Sequence, residues 1–463
     1  MNAMANSPLC AGPVSRRTLL RAGSLALGGV TLADILAARA AQGQKTPPET
    51  SVILFWMWGG PSQMETYDMK PGAPSEYRGP FDPIATSVPG MDIVEHFPRQ
   101  AKIASHFSVI RSLHHTMSAH NDGSIEVLTG KTPAKPDPTS TARSEHPDFG
   151  MLTARMRGRR NDGLPQYIAV HRAPFMISPS YLGLGYRAYE TGDPSTADFA
   201  PRNLKLTAGI DESRLGLRKE LLGQLDQLRR GLDLAGSMDG VDEFRRDAFQ
   251  LLASPQMSAA FDLSREDTDL RDRYGRHRWG QNCLLARRLA ERGAAVVNID
   301  ATAPSDKSEY FSWDDHAGPF HLVHANLERF PQYDQAISAL IEDLRERGLD
   351  RRILVVAVGE FGRTPRLTHR ATFPRKPGGP WLGRDHWPNA FSALIAGGGL
   401  RMGEVIGQTN SRSEYPTHDP VTPQDLLATI YRHLGLRPES TVPDYNGRPV
   451  PLLSEGRPIG ALL

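Results

Sequence analysis

Three groups of polar residues in this sequence carry side chains fit for metal or acid–base chemistry. Trp313-Asp314-Asp315-His316 sets a carboxylate two positions from an imidazole, a hard oxygen with a borderline nitrogen that suits Zn²⁺, Mn²⁺ or Fe²⁺. Gly359-Glu360-Phe361-Gly362-Arg363 and Gly383-Arg384-Asp385-His386 add a carboxylate, a guanidinium and an adjacent Asp-His pair. His114, His115 and His120 lie upstream of both. Taken singly, each motif has a plain alternative: a capping Asp beside a surface His, or histidines that pack in a core. Arg363 can clamp two oxygens of a phosphate or sulfate, or it can pair internally with Asp343 or Glu360. The groups mean more if they converge, and convergence depends on the elements that carry them.

Three polar clusters follow apolar runs: Gly59–Asp68, the Asp314 group, and the Glu360 group paired with that of His386. Ser51–Trp58 reads SVILFWMW and opens into Gly59–Asp68; Ala294–Asp300 precedes the Asp314 group; Arg352–Val358 opens directly into Gly359. Further strand signals are Phe107–Arg111, Gln166–His171 and Ala390–Ala396. Runs apolar at every position, without alternation, are strands covered on both faces, and open parallel sheets bind ligands beyond the carboxyl ends of their strands. Ser118–Gly130 reads as a loop entering a short helix. Pro331–Arg347 is an amphipathic helix with Tyr333, Ile337, Leu340, Ile341 and Leu344 on one face and Gly348 as its C-cap. Between about 208 and 292, leucines recur at helical spacing among charges, the pattern of a helical insertion.

Composition narrows the class. A chain of 463 residues, 39% hydrophobic and 23% charged, has room for one large α/β domain. Mean hydropathy of −0.41 excludes a polytopic membrane protein, and a net charge of +2 provides no nucleic-acid footprint. At the N-terminus, Ser15-Arg16-Arg17-Thr18-Leu19-Leu20-Arg21 is a twin-arginine pattern, followed by apolar Ala22–Ala38 and the small-x-small site Ala38-Arg39-Ala40. Residues 1–41 read as a removable export signal, with a polar linker at 42–50 and no membrane span after cleavage. The signal carries Arg16, Arg17, Arg21 and Arg39 against Asp34, so its removal takes the chain from +2 to −1. Cys10 lies inside it, which leaves Cys283 without an internal disulfide partner. The expected location is the periplasm or the medium.

The order of the blocks resembles the alkaline phosphatase superfamily, which includes sulfatases, and more closely the secreted bacterial family called domain of unknown function 1501. The matching blocks are FWMWGGPSQMETYDMKP at 55–71, RSLHHTMSAHNDGSIEVLTGKTP at 111–133 and SWDDH at 312–316. The long block at 334–367, GRDHWPNAFSALIAGGGLRMGEVIGQT at 383–409 and PQDLLATIYRHLGL at 423–436 complete them. The resemblance implies a mostly parallel sheet flanked by helices. Sulfatases place a Cys or Ser nucleophile ten residues before the Gly of a Leu-Thr-Gly motif, and counting back from Leu128-Thr129-Gly130 gives His120. A histidine cannot become formylglycine, so the resemblance does not extend to formylglycine sulfatase chemistry. Thr116, Ser118 and Ser124 are out of register for a phosphatase nucleophile. Trp58-Gly59 stands where the superfamily holds an Asp ligand, and Glu360-Phe361 where it holds an Asp-His pair. Asp314, His316 and His386 match the ligands of the other metal.

These readings imply one divalent transition ion, Zn²⁺ or Mn²⁺, on Asp314, His316 and His386 with Glu360 as a further oxygen ligand. His120 would be a nucleophile, an acid–base group or an extra ligand, and Arg363 an anion clamp. The corresponding function is a metal-dependent hydrolase acting on a phosphate or sulfate ester of a small molecule or glycan. A non-catalytic exported binding or scaffold protein that keeps the fold is the alternative, and a purely structural α/β protein would leave the histidines unexplained.

Overall fold

Strands buried on both faces build the centre of the molecule. The computed structural model describes residues 49–199, 255–318, 320–370 and 381–463. The expected signal at 1–41, most of the linker and the 208–254 part of the expected insertion lie outside those residues. The central sheet has eight strands: β1 (Ser51–Trp56), β2 (Phe107–Leu113), β3 (Tyr167–Val170), β4 (Tyr189–Glu190), β5 (Val296–Asp300), β6 (Ile353–Val358), β7 (Phe391–Gly397) and β8 (Val405–Ile406). Their order across the sheet is β8-β2-β7-β6-β1-β5-β3-β4. β1 pairs in parallel with β5 and β6, β3 with β4 and β5, and β8 with β2. β7 runs against both its neighbours, β2 and β6.

Side-chain alternation divides the core in two. Ile53, Phe55, Val297, Ile299, Val355 and Ala357 face one way, Val52, Leu54, Trp56, Leu354, Val356 and Val358 the other. Each such side chain contributes about 1.5–3 kcal/mol through burial. On the first face lie helices over Arg278–Glu291 and Leu322–Glu346, which bring Trp279, Leu284, Tyr333 and Ile337. On the second lie α1 (His120–Thr129), α2 (Phe149–Arg157) and the C-terminal Pro423–His433, with Leu128, Leu152 and Leu427. We call the two helices of the first face α3 and α4, and the last one α5. α3 lies within the expected insertion range and is one of the helices packed on the sheet. α4 begins at Leu322, and Pro331 lies inside it. It closes at Gly348, whose φ of +66° suits a residue without Cβ. α5 carries a reciprocal capping box between Thr422 and Asp425. Among the described residues, no helix is long and apolar enough to cross a membrane.

The topology gathers the polar groups at one end. β1, β2, β3, β5 and β6 all finish there, and reversed β7 starts there, so the segments holding Gly59, His120, His171, Asp314, Glu360 and His386 share that edge.

Candidate functional site

His120 is the first residue of α1 and is packed between Trp58, Phe361 and His386. Asp314 and His316 sit on the loop after β5. That loop is tied to β1 by the Trp313 amide donating to the Trp58 carbonyl at 3.1 Å. Asp315 turns inward, where it meets the fully buried Arg329 through both carboxylate oxygens at 2.5 and 2.6 Å. His386 reaches the same space from a short antiparallel ribbon, His386–Trp387 against Gly362–Arg363. Four residues from three distant segments thereby meet: His120, Asp314, His316 and His386 each offer one ligand atom, all within 4.8 Å of one another.

The hydrogen bonds around the cluster orient its lone pairs. His316 Nδ1 lies 2.7 Å from Asp385 Oδ1, His386 Nδ1 2.6 Å from the Ser118 carbonyl, and His120 Nδ1 2.7 Å from Glu360 Oε1. All three partners are acceptors, so each Nδ1 carries a proton, and each ring in its neutral form turns an Nε2 lone pair inward. There, Asp314 Oδ1 is 2.9 Å from His316 Nε2 and 3.2 Å from His386 Nε2, and Oδ2 is 3.3 Å from His120 Nε2. The Nε2 atoms of His316 and His386 are 3.0 Å apart. Two lone pairs facing each other at that distance repel unless a cation or a proton lies between them. Three imidazoles and a carboxylate, each ring braced from behind by an oxygen, form a donor set for a first-row transition ion.

Charge in the site follows from the same contacts. Burial alone would raise the Asp314 carboxyl, but the Arg363 guanidinium and the imidazoles of His120, His316 and His386 hold it well below the usual carboxylate range. Burial opposes charge on His120 as well, yet hydrogen bonds to Asp314 and Glu360 push it up to about 9. His386 moves down, chiefly through burial. The space therefore attracts positive charge.

Glu360 does not reach the converging atoms. Its Oε1 accepts the Gly59 amide at 2.8 Å and holds His120, so the carboxylate expected as a ligand braces one instead. Arg363, expected as an anion clamp, is fully buried with all three guanidinium nitrogens engaged. Nε donates to the Gly60 carbonyl at 2.9 Å, Nη1 to that of Arg384 at 3.3 Å, and Nη2 meets the Gly59 carbonyl and Asp314 Oδ1. It binds neither Asp343 nor Glu360, the internal partners expected for it. His115 is buried and bridges the Glu360 carbonyl and the Met117 amide, and Ser118 contributes its carbonyl.

Gly59 leaves no room for an acidic side chain. Its φ is +109°, and a Cβ would lie 2.5 Å from the Trp313 nitrogen and 2.6 Å from that of Asp314. Two supporting contacts were not expected from the sequence. Asp385 braces His316, and the buried Arg384 grips Glu65 through Nε and Nη2 at 2.7–3.0 Å. Their signal was position, a charged residue immediately before His386 and an acid inside a buried Gly-led loop.

With this geometry in hand, comparison with known proteins gives a family. The family described as "Protein of unknown function (DUF1501)" matches residues 49–463, and the chain belongs to it. No curated protein matches the sequence. Among solved structures, the lipoteichoic acid synthase LtaP from Listeria monocytogenes is similar at 10% identity and a TM-score of 0.35, over 84% of this chain and 73% of that one. A 2-O GAG sulfatase, BT1596, gives 11% and 0.39 over 89% and 73%. The C-terminal periplasmic domain of EcEptC from Escherichia coli, in complex with Zn, gives 12% and 0.34 over 85% and 84%.

Proposed function

We propose that this protein is an exported metal-dependent hydrolase of phosphate or sulfate esters, working with one Zn²⁺ or Mn²⁺. The observation that carries the reading is the convergence of His120, Asp314, His316 and His386, with every imidazole braced by an oxygen from behind. Those four side chains would hold the ion. When bound, a divalent ion of this kind polarises an ester oxygen or lowers the pKa of a water. Glu360, Asp385 and the Ser118 carbonyl fix the three ring tautomers. Arg363 holds the Gly59–Gly60 turn and Asp314 in register. With both nitrogens of His120 engaged, the attacking group is a water rather than a side chain, which separates this site from a formylglycine sulfatase.

The test combines metal content with turnover. Protein prepared with Zn²⁺ and Mn²⁺ supplied should retain a single ion per chain, and a His316→Ala, His386→Ala double variant should retain none. On a panel of phosphate mono- and diesters and sulfate esters, His120→Ala should lower turnover by about a hundredfold or more. Protein folded with metal available that carries no transition ion refutes the reading. Metal without turnover on any ester supports the alternative, a non-catalytic exported binding protein. The saturation of Arg363 by internal partners, which leaves it no free edge for an oxyanion, is the observation that favours it.

Export is part of the proposal and rests on the twin-arginine pattern. Lysine at both Arg16 and Arg17 should strand an uncleaved precursor in the cytoplasm, and unchanged export would remove that part.

A further inference from the structure

A cavity of about 380 Å³ opens at the same end of the sheet, and Trp58 in its wall also packs against His120 of the cluster. Its walls include three aromatic rings. Trp58 is half-buried and stands edge to face with Phe175 at 5.5 Å, while Phe175 and Phe311 are 54% and 62% exposed. Large apolar side chains are held in water here beside a concave surface.

The floor is polar and under-satisfied. Asn298, on β5, is 1% exposed, and neither its amide oxygen nor its amide nitrogen finds a hydrogen-bond partner among the described residues. The same holds for the indole nitrogen of Trp56 at the end of β1 and for Nδ1 of His171, 6% exposed, just past β3. Leaving a buried amide unpaired weakens a fold. His171 also adopts φ of +75°, a left-handed conformation unfavourable for a residue with a Cβ. Its Nε2 faces Asp300 at 3.9 Å, and Asp300 lines the cavity too. Unsatisfied donors and acceptors on or just past three neighbouring strands therefore lie buried beneath one space, and the backbone is strained where one of them is set.

We infer that this cavity is a binding site for a neutral sugar ring. A pyranose has apolar C–H faces that stack on aromatic rings and a rim of hydroxyls, each both donor and acceptor. That rim matches an amide, an imidazole, a carboxylate and an indole N–H placed at separate points. Charge does not select an anion here. Arg278, the buried cation of the lining, is neutralised by Asp193 at 2.6 Å and Asp306 at 2.5 Å, and the charge of Arg172, exposed at the rim, is matched by that of Asp300 in the same lining. Because Trp58 separates the cavity from His120, a sugar seated there would direct a substituent past the indole toward the cluster. That last step rests on the ester-hydrolase reading, whereas the binding itself does not.

The experiment measures binding without turnover on the full-length protein. Tryptophan fluorescence and calorimetric titration would use galactose, fucose, glucose, mannose and xylose as methyl glycosides, and neutral and sulfated galactan and fucan hexasaccharides. Adenosine and uridine serve as counter-probes. At least one sugar should saturate by the millimolar range. Asn298→Leu should weaken it about tenfold, the effect of one buried hydrogen bond. Phe175→Ala and Phe311→Ala should weaken it with unchanged Tm, and because both rings are exposed they decide the matter if Asn298→Leu does not fold. The His316→Ala, His386→Ala variant should bind the sugar as wild type does. No saturation by any sugar, binding indifferent to all three cavity variants, or saturation by nucleosides in place of sugars overturns the proposal. Sugar binding without ester hydrolysis leaves it standing and refutes the proposed reaction instead.

Discussion

His120 lies between two carboxylates, with Nδ1 2.7 Å from Glu360 Oε1 and Nε2 3.3 Å from Asp314 Oδ2. Glu360→Gln keeps the size of the bracing group and removes its charge, and Asp385→Asn does the same behind His316. Each should weaken metal affinity by about 10- to 100-fold in chelator competition, with the fold unchanged by circular dichroism. An equal affinity in both variants would show that the rings orient themselves. His115 yields a pH prediction. Burial lowers its pKa to about 4, against hydrogen bonding to Glu360 that raises it. Its Nδ1 accepts the Met117 amide, so an added proton there would lose that bond. The unfolded chain takes up a proton near 6.5 while the folded chain refuses it until about 4. Stability is therefore complete above the unfolded value and falls as pH drops through that window, by up to roughly 3 kcal/mol. A His115→Gln variant should lack this component, so its stability difference from wild type should shrink on acidification in urea titrations at pH 7 and pH 4.5. Which residue types could bind metal was legible in the sequence. That Glu360 braces rather than ligates was not, because adjacency along the chain does not say which atom a carboxylate meets.

At the level of elements, two loops are held with little tolerance. Gly59→Ala forces a Cβ onto the peptide of Trp313 and Asp314 from a left-handed backbone. Its expected effect is a lowered Tm together with loss of bound metal, and a variant that keeps the ion would show that the loop can yield. The Arg384–Glu65 pair is fully buried on both sides. Removing one partner strands the other charge, so Glu65→Ala should cost about 3–5 kcal/mol in denaturant unfolding, and the Glu65→Leu, Arg384→Met double variant should recover much of it. Strands were the most legible elements. Burial on both faces writes them as unbroken apolar runs, and β1, β5 and β6 lie inside the expected ranges. Direction leaves no such trace, so nothing in Phe391–Gly397 announces that β7 is reversed. The start of α4 was also concealed. Proline fits the first turn of a helix, which made Pro331 read as a beginning when the helix had started at Leu322.

For the whole molecule, an ion held by His120, Asp314, His316 and His386, from three distant segments, would tie the sheet edge together. Binding to the folded state alone adds stability by mass action, about 4 kcal/mol at a thousandfold excess over Kd. Chelation should therefore lower Tm, and re-addition of Zn²⁺ or Mn²⁺ should restore it. A Tm indifferent to chelator and metal would mean that the cluster holds together without an ion.

The reversed strand also imposes an order of assembly. β7 lies between β2 and β6, with Phe391 opposite Leu113 and Leu394 opposite Ala357. Until it is in place, β2 has no route into the sheet, although it precedes β7 by more than half the chain. A ribosome-bound chain that has emerged through β6 thus holds two open edges, on β2 and on β6, the kind of surface that recruits foreign strands. The wedge that closes them follows closely after His386, so the sheet and the cluster are completed by the same stretch of chain. Arrested chains ending before Phe391 should aggregate or occupy chaperones, and chains extended past β8 should become protease-resistant in one step. A gradual rise in resistance from β1 onward would show that the two halves of the sheet form independently.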